Sequence, residues 1–469
     1  MPDSPRPPTP ALTLPSVFKV LSAFPHPNEG VLVSQLLESG RPVTAAQLPP
    51  LRTASWEDIR KLFALDPATI HLNTGTVGAM PYEVLDTVDR VTREWTGGLA
   101  DVYKPSGYVE HRTAIARAFG VDLDEMVICH NATEGVARII QGLDLREGDE
   151  VVTTSHECYS VLSNFNLLRN RFGVRVKVIT PPTGYDVRAE EIVELFAEAI
   201  TQRTKVLSFA AVTLFTGTLM PMRALCELAQ RHGLTTVVDG ALLPGMLDCN
   251  LRELGVDFMA CSGSKFQCGP LGTGLLYLRN KVFPEHNPLP LPTFWPVIST
   301  WYPIVGSPPP RTTTSVASDD TALYVQVAGS ASIARGAALA KACELFDDIG
   351  RARIERHIMD LADYARGRLA ETFGQDALYS PGADKRLRSP LIAFHPFRDR
   401  ESAWNIKKFA AFTDRLEQEH RIWTRWTEFD VPGSPHQHYA ARITTHLFNT
   451  RAEIDRAVAV MARLADELS

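Results

Sequence analysis

The chain has 469 residues, 45% hydrophobic and 22% charged, with a net charge of −6. That is an ordinary globular composition, long enough for two or three structural units of roughly 100–200 residues each. The acidic balance argues against nucleic acid or an anionic membrane surface as partner, and no apolar run reaches the roughly 18–20 residues that span a bilayer.

In chain order, Met1 to Pro10 is rich in proline and lacks an apolar signal core, so a disordered start without a signal peptide is expected. Residues 1–66 read as an N-terminal arm with short helices such as Trp56–Phe63. From about residue 68, strand and helix signals alternate. Apolar, β-rich runs fall at Met126–Cys129, Glu150–Thr154, Val174–Ile179, Lys205–Phe209, Thr235–Val238, Phe258–Cys261 and Thr273–Leu278. Helical periodicity fills Asn131–Leu143, Ala189–Ala199 and Met222–His232. Short, nearly all-apolar strands separated by helices predict an α/β fold with a mostly parallel seven-stranded sheet covered on both faces. In such sheets ligands gather beyond the carboxyl ends of the strands.

Residues 281–328 break the pattern. They are rich in Pro and Trp and read as an irregular excursion, either a lid or a dimer contact. Trp295, Trp301 and Tyr302 fit an aromatic pocket or an interface equally well. Helices at Ser332–Phe346, Arg351–Phe373, Asn405–His420 and Arg451–Leu468, with strands at Leu391–His395 and Ala441–Thr445, make a smaller α+β domain over 329–469. Residues 67–328 make the large one. The seven cysteines form no CxxC pair, so neither a metal site nor a disulfide framework is expected, and reduced thiols in the cytoplasm fit best.

Four segments carry chemistry. Thr235-Thr-Val-Val-Asp239-Gly-Ala241 ends a buried strand in a carboxylate, and Ser262-Gly-Ser-Lys265 follows 26 positions later (265 − 239). A buried Asp is costly without a partner. A protonated pyridine nitrogen is a suitable one, because it keeps the ring an electron sink. A Lys on the next strand's turn can then hold the aldehyde of pyridoxal 5′-phosphate (PLP) as a Schiff base, and its amine can move protons once released. The structural alternative is a helix-capping Asp and a surface Lys.

Cys129-His-Asn131-Ala132-Thr133-Glu134-Gly135 lies between a strand and a helix. Backbone N–H groups at the helix N-terminus around Ala132 and Thr133, with the Thr133 hydroxyl, make an anion site for a phosphate, to which Ser262 adds a second hydroxyl. Plain N-capping by Asn131 or Thr133 is the competing reading. Glu157-Cys158-Tyr159-Ser160 follows the Glu150–Thr154 strand, and either Cys158 or Tyr159 faces the cofactor ring, unless the loop makes no contact at all. Arg442, in Arg442-Ile-Thr-Thr-His446-Leu-Phe-Asn449-Thr450, suits a bidentate grip on a substrate carboxylate, or a surface pair. Asn449 or Thr450 caps the last helix, and from Thr450 the residue three on is Glu453, the capping-box spacing.

These segments, in this order, resemble the class V aminotransferase superfamily of fold type I PLP enzymes, most of all its isopenicillin N epimerase-like branch. Cysteine desulfurases and C–S lyases are cousins. The resemblance covers roughly residues 68–280 and 329–469. His71-Leu-Asn73-Thr-Gly75-Thr-Val-Gly78 is similar to the family's opening loop, which implies substrate contacts at Asn73 and Gly75. Phe215-Thr216-Gly217-Thr-Leu-Met-Pro221 is similar to its Gly-x-x-x-Pro turn. The resemblance also implies cofactor contacts from Thr213 and Ala241. Gly329-Ser330 falls where the family has a Gly-Thr whose hydroxyl reaches the partner's phosphate. That implies a cofactor contact from Ser330 and a homodimer with shared active sites.

The sequence departs from the family pattern beside the cofactor's phenolic oxygen, where Leu214 and Leu242 stand in place of polar residues, and at Ser264, where His is common before the Lys. Cysteine desulfurases need a nucleophilic Cys shortly before the carboxylate-binding Arg. No Cys occurs between 344 and 469, which argues against that activity. The reading is a PLP enzyme acting on an amino acid through an external aldimine and quinonoid, with epimerase, lyase or bond-forming chemistry ahead of an aminotransferase. A PLP-binding regulator or decayed pseudoenzyme is disfavoured by retention of both Lys265 and Asp239.

Overall fold

The computed structural model describes residues 43–98, 105–279, 294–295, 297–298, 321–326 and 331–469. Ser330, Trp301, Tyr302, the first 42 residues and most of the 281–328 excursion lie outside the described residues. Within the arm, Trp56–Arg60 is a helix, capped by Ser55 accepting from Asp58 N.

Strand β1 (Ile70–His71) comes before the central sheet. That sheet is built from β2 (Met126–Cys129), β3 (Glu150–Thr154), β4 (Arg175–Ile179), β5 (Thr204–Ala210), β6 (Thr235–Asp239), β7 (Phe258–Ser262) and β8 (Gly274–Leu278). Their spatial order is β2-β8-β7-β6-β5-β3-β4. The run from β7 to β4 is parallel, and β8 is antiparallel to both neighbours. The expected mostly parallel seven-stranded sheet is therefore present.

The apolar strand sequences follow from burial on both faces. Successive residues alternate between two cores. Leu207, Val238, Met259 and Leu275 pack with Ile192, Phe196, Leu225 and Leu228. Val206, Val237, Phe258 and Leu276 pack with Val136, Ile139, Phe165 and Leu168. Each such side chain contributes roughly 1.5–3 kcal/mol by leaving water. Phe165 and Leu168 belong to a helix over Tyr159–Phe172 that the sequence reading did not name.

The C-terminal part is the smaller α+β unit. Strands β9 (Leu391–Phe394), β11 (Arg425–Phe429) and β12 (His438–Thr444) form an antiparallel sheet in the order β11-β12-β9, and the short β10 (Ile422–Trp423) pairs in parallel with β1. Helices Arg351–Phe373, Ile406–His420 and Arg451–Glu467 cover it. Thr450 caps the last helix in a capping box with Glu453.

The β1 segment ties the two parts together. Leu72 N donates to Trp423 O and Leu72 O accepts from Thr444 N. A few residues on, Gly78 N donates to Ser264 O, beside the predicted catalytic lysine. A Cβ at Gly78 would fall 2.1 Å from Lys265 O, so only glycine fits this approach. All seven cysteines are free thiols. Among the described residues no helix is long and apolar enough to cross a membrane.

Candidate active site

The parallel strands β3, β5, β6 and β7 end at Thr154, Ala210, Asp239 and Ser262. Beyond those ends opens a cavity with about 520 Å³ of empty space. Its wall includes Ala132, Thr133, Cys158, Leu214, Asp239, Ala241, Leu242, Ser262 and Lys265. Five loops widely separated in sequence thus converge, as ligand sites in such sheets do.

Lys265 sits on a turn that closes on itself. Gly269 N donates to Gly263 O at 2.7 Å and Cys268 N to Lys265 O at 3.1 Å. Cys268 takes a left-handed φ of 55° to make this closure. Burial pushes the Lys265 amine below its ordinary pKa, while Asp239 and Cys158 pull it back. Burial pushes the Asp239 carboxyl up, opposed by Lys265 and by the Ala241 N–H that donates to its Oδ1 at 2.9 Å. A cation at the carboxylate would offset that desolvation.

At another stretch of the wall is the start of the helix Ala132–Gly142. Asn131 does cap it, accepting from Glu134 N at 2.8 Å. Capping leaves the first N–H groups of the helix without intrahelical partners, so the cap and the anion site coexist. A Cβ on Gly274 would lie 2.7 Å from the Asn131 backbone, so that glycine lets β8 approach the loop. Ser262 Oγ lies 3.3 Å from Ser264 Oγ. An anion cradle, a carboxylate and an amine on one cavity match the phosphate, the ring nitrogen and the aldehyde of PLP.

Arg442, on β12, is 2% exposed. Nη1 donates to Leu214 O at 2.9 Å, and Nη2 to Thr76 Oγ1 at 3.0 Å and Asn73 Oδ1 at 3.4 Å. Among the described residues its Nε has no hydrogen-bond partner. Gly75 N donates to Thr444 Oγ1, and a Cβ there would come within 3.7 Å of the Arg442 guanidinium. Asn73, Gly75 and Arg442 therefore meet, and Leu214 joins them to the cavity. Burial and the neighbouring Arg425 push the guanidinium down to about 9.

The other expected residues fall differently. Of the two candidates in the loop after β3, Cys158 is on the cavity wall. Tyr159 begins the next helix, is 40% exposed and donates its hydroxyl to Glu428. Thr213 is next to the wall, but its hydroxyl pairs with Thr216 Oγ1 at 2.7 Å and accepts from Thr218 N at 2.9 Å. Among the described residues no cluster of His, Cys, Asp and Glu is arranged to hold a metal ion.

Glu157 is a site residue that the sequence reading left without a role. Its Oε1 accepts from Ala210 N at 2.7 Å and from Thr154 Oγ1 at 3.2 Å, while Oε2 has no partner among the described residues. Burial and nearby Asp239 push its carboxyl up to about 8. In the unfolded chain the value is near 4.5. The folded state therefore holds a proton that the unfolded state releases. The stabilisation is full below about pH 4.5 and is lost as pH rises through about 8. Glu157→Gln lacks this titration. Its melting temperature relative to the wild type should climb between pH 5 and pH 9, by up to about 1.4 kcal/mol of stability per pH unit. Thermal melts with a pH-independent difference would count against a protonated Glu157.

The comparisons with known proteins agree with this geometry. The family described as Aminotransferase class-V matches residues 79–400. The isopenicillin N epimerase of Amycolatopsis lactamdurans is 26% identical over 419 residues, 88% of this chain and 99% of that protein. A probable cysteine desulfurase of Halobacterium salinarum is 27% identical, over 84% of this chain and 90% of its own length. Among solved structures, a variant of C-DES with glycine covalently linked to its PLP cofactor superposes with a TM-score of 0.70. It is 22% identical and covers 87% of this chain and 99% of its own. Pyridoxal 5′-phosphate is therefore the cofactor for which the cavity is built. With the family match spanning the whole seven-stranded sheet, the Lys265 turn and part of the C-terminal unit, the chain belongs to the class V aminotransferase family of PLP-dependent enzymes.

Proposed function

We propose that the protein acts on the α-carbon of an amino acid, as an epimerase, a lyase or a bond-forming enzyme in a biosynthetic pathway rather than as a transaminase. The observation that carries this reading is Arg442. It is a buried guanidinium with a free Nε and no carboxylate partner among the described residues, joined through Leu214 to the cavity of Lys265. A buried cation without its counter-ion is costly unless a bound anion supplies one.

In this reading Arg442 grips the substrate's α-carboxylate, with Asn73 and Thr76 holding the guanidinium and Gly75 leaving room beside it. PLP, when bound, supplies an electron sink for charge developing at Cα. Ala132, Thr133 and Ser262 hold its phosphate, and Asp239 keeps its ring nitrogen protonated. Lys265 takes or returns the Cα proton, and burial favours its neutral, basic form. The apolar Leu214 and Leu242 on the cavity wall support chemistry other than transamination, since the cofactor's phenolic oxygen is then held differently.

Cysteine desulfuration stands outside this reading. The connection between β11 and β12 has no cysteine, and Cys343 is buried in a helix. Cys158 lines the cavity, but burial and Asp239 raise its thiol pKa. The protein is further read as a cytoplasmic homodimer acting on a small amino acid substrate. The test is to incubate the purified holoenzyme with a panel of amino acids in D2O and follow Cα–H by NMR. Exchange is expected with at least one of them, without stoichiometric release of a keto acid. No exchange with any member would remove the reading.

A further inference from the structure

β11 and β12 pair antiparallel with Arg425 directly opposite Arg442. Directly opposed residues project from the same face of a sheet, with Cβ atoms roughly 4.5–5.5 Å apart. Arg425 thus shares the face from which Arg442 reaches Leu214, Asn73 and Thr76. Two like charges in this position repel each other, so the pair destabilises the ladder unless something negative lies between or beside them.

Arg442 is buried, whereas Arg425, its cross-strand partner, is exposed. Among the described residues Arg425 has no hydrogen bond or ion pair, and Tyr159 is the one group that raises its pKa. Its charge is nevertheless felt at Lys265 and at Arg442, where it lowers both pKa values. Sharing a sheet face with Arg442, Arg425 is placed beside the Arg442 subsite rather than within it.

We infer that Arg425 is a specificity residue that binds a second carboxylate, carried on the substrate's side chain. This rests on the reading of Arg442 as the α-carboxylate clamp. One guanidinium matches one carboxylate as a planar fork. A dianionic phosphate would call for further donors, and Arg425 is a single exposed cation. The expected substrate class is an acidic amino acid.

The test uses the holoenzyme and follows the visible absorbance of its cofactor during titration with aspartate and glutamate, against asparagine and glutamine. Each amide keeps the shape and removes the charge. The acids are expected to bind about 10- to 100-fold more tightly than their amides, the range for a hydrogen-bonded charged group. In Arg425→Gln that preference should vanish with affinity for the amides unchanged, and Arg425→Lys should restore part of it. The melting temperature of Arg425→Gln should equal or exceed the wild type's, because the like-charge pair is gone, so loss of fold cannot imitate the result. Equal affinity of the wild type for acids and amides would overturn the inference while leaving Arg442 its role. So would a preference that survives in Arg425→Gln. Absence of any spectral response to all four amino acids would overturn the inference and count against the clamp as well.

Discussion

Lys265→Ala is expected to lower turnover by about 10³-fold or more, and to abolish the chromophore that borohydride fixes covalently to the protein. The argument is positional. The amine is on a turn closed by Gly269 to Gly263, and it opens into the cavity shared with Asp239. Among the described residues it is the one Lys on that cavity's wall, and its pKa is lowered by burial, which favours the proton-accepting form. Removing it takes away both the covalent tether and the proton carrier, and loss of a positioned acid–base group alone is worth about 10²–10⁴. Absorbance, and mass spectrometry of the borohydride-treated protein, give the readout. A variant that still acquires a borohydride-stable adduct would end the assignment.

Asp239→Asn should cost at least about 10²-fold in turnover and weaken cofactor retention, because breaking a buried ion pair typically costs roughly 3–5 kcal/mol. The amide keeps the shape of the carboxylate and can still accept from Ala241 N, but it cannot hold a pyridinium. The protein without cofactor provides the control. Burial already pushes the Asp239 carboxyl towards neutrality there, so its melting temperature should change little in the variant. Stability loss alone, with turnover intact once the cofactor is saturating, would leave Asp239 a structural residue.

Much of the sheet was legible because parallel strands buried on both faces are written as unbroken apolar runs. Thr235–Val238 and Phe258–Cys261 each proved one residue longer, ending in Asp239 and Ser262. Those polar residues look like strand terminators in the sequence, yet they still belong to the ladder and line the site. Arg425 was not legible because its strand was not. β11 carries an exposed Arg425, a half-buried Trp426 and a buried Thr427, Glu428 and Phe429. Buried and exposed residues do not alternate along it, so the period-two signal of a half-buried strand is missing. The helix Tyr159–Phe172 was hidden for a similar reason, since Leu167 and Phe172 are exposed on it and dilute its apolar stripe. The fate of Thr213 depended on Thr216 and Thr218. No sequence spacing says that three hydroxyls will satisfy one another rather than a ligand.

The segment from Ile70 to Gly78 is hydrogen-bonded at one end to β10 and β12 and at the other to Ser264. It is a splint, and its mechanical meaning is that the nucleophilic turn takes its outer wall from chain that precedes the whole sheet. Circular permutation with new ends inside this splint would leave both sheets whole and the lysine unbraced. The position of the amine is thus shared with a segment nearly two hundred residues before it in sequence, and a shift of the C-terminal unit would reach the lysine turn through that segment.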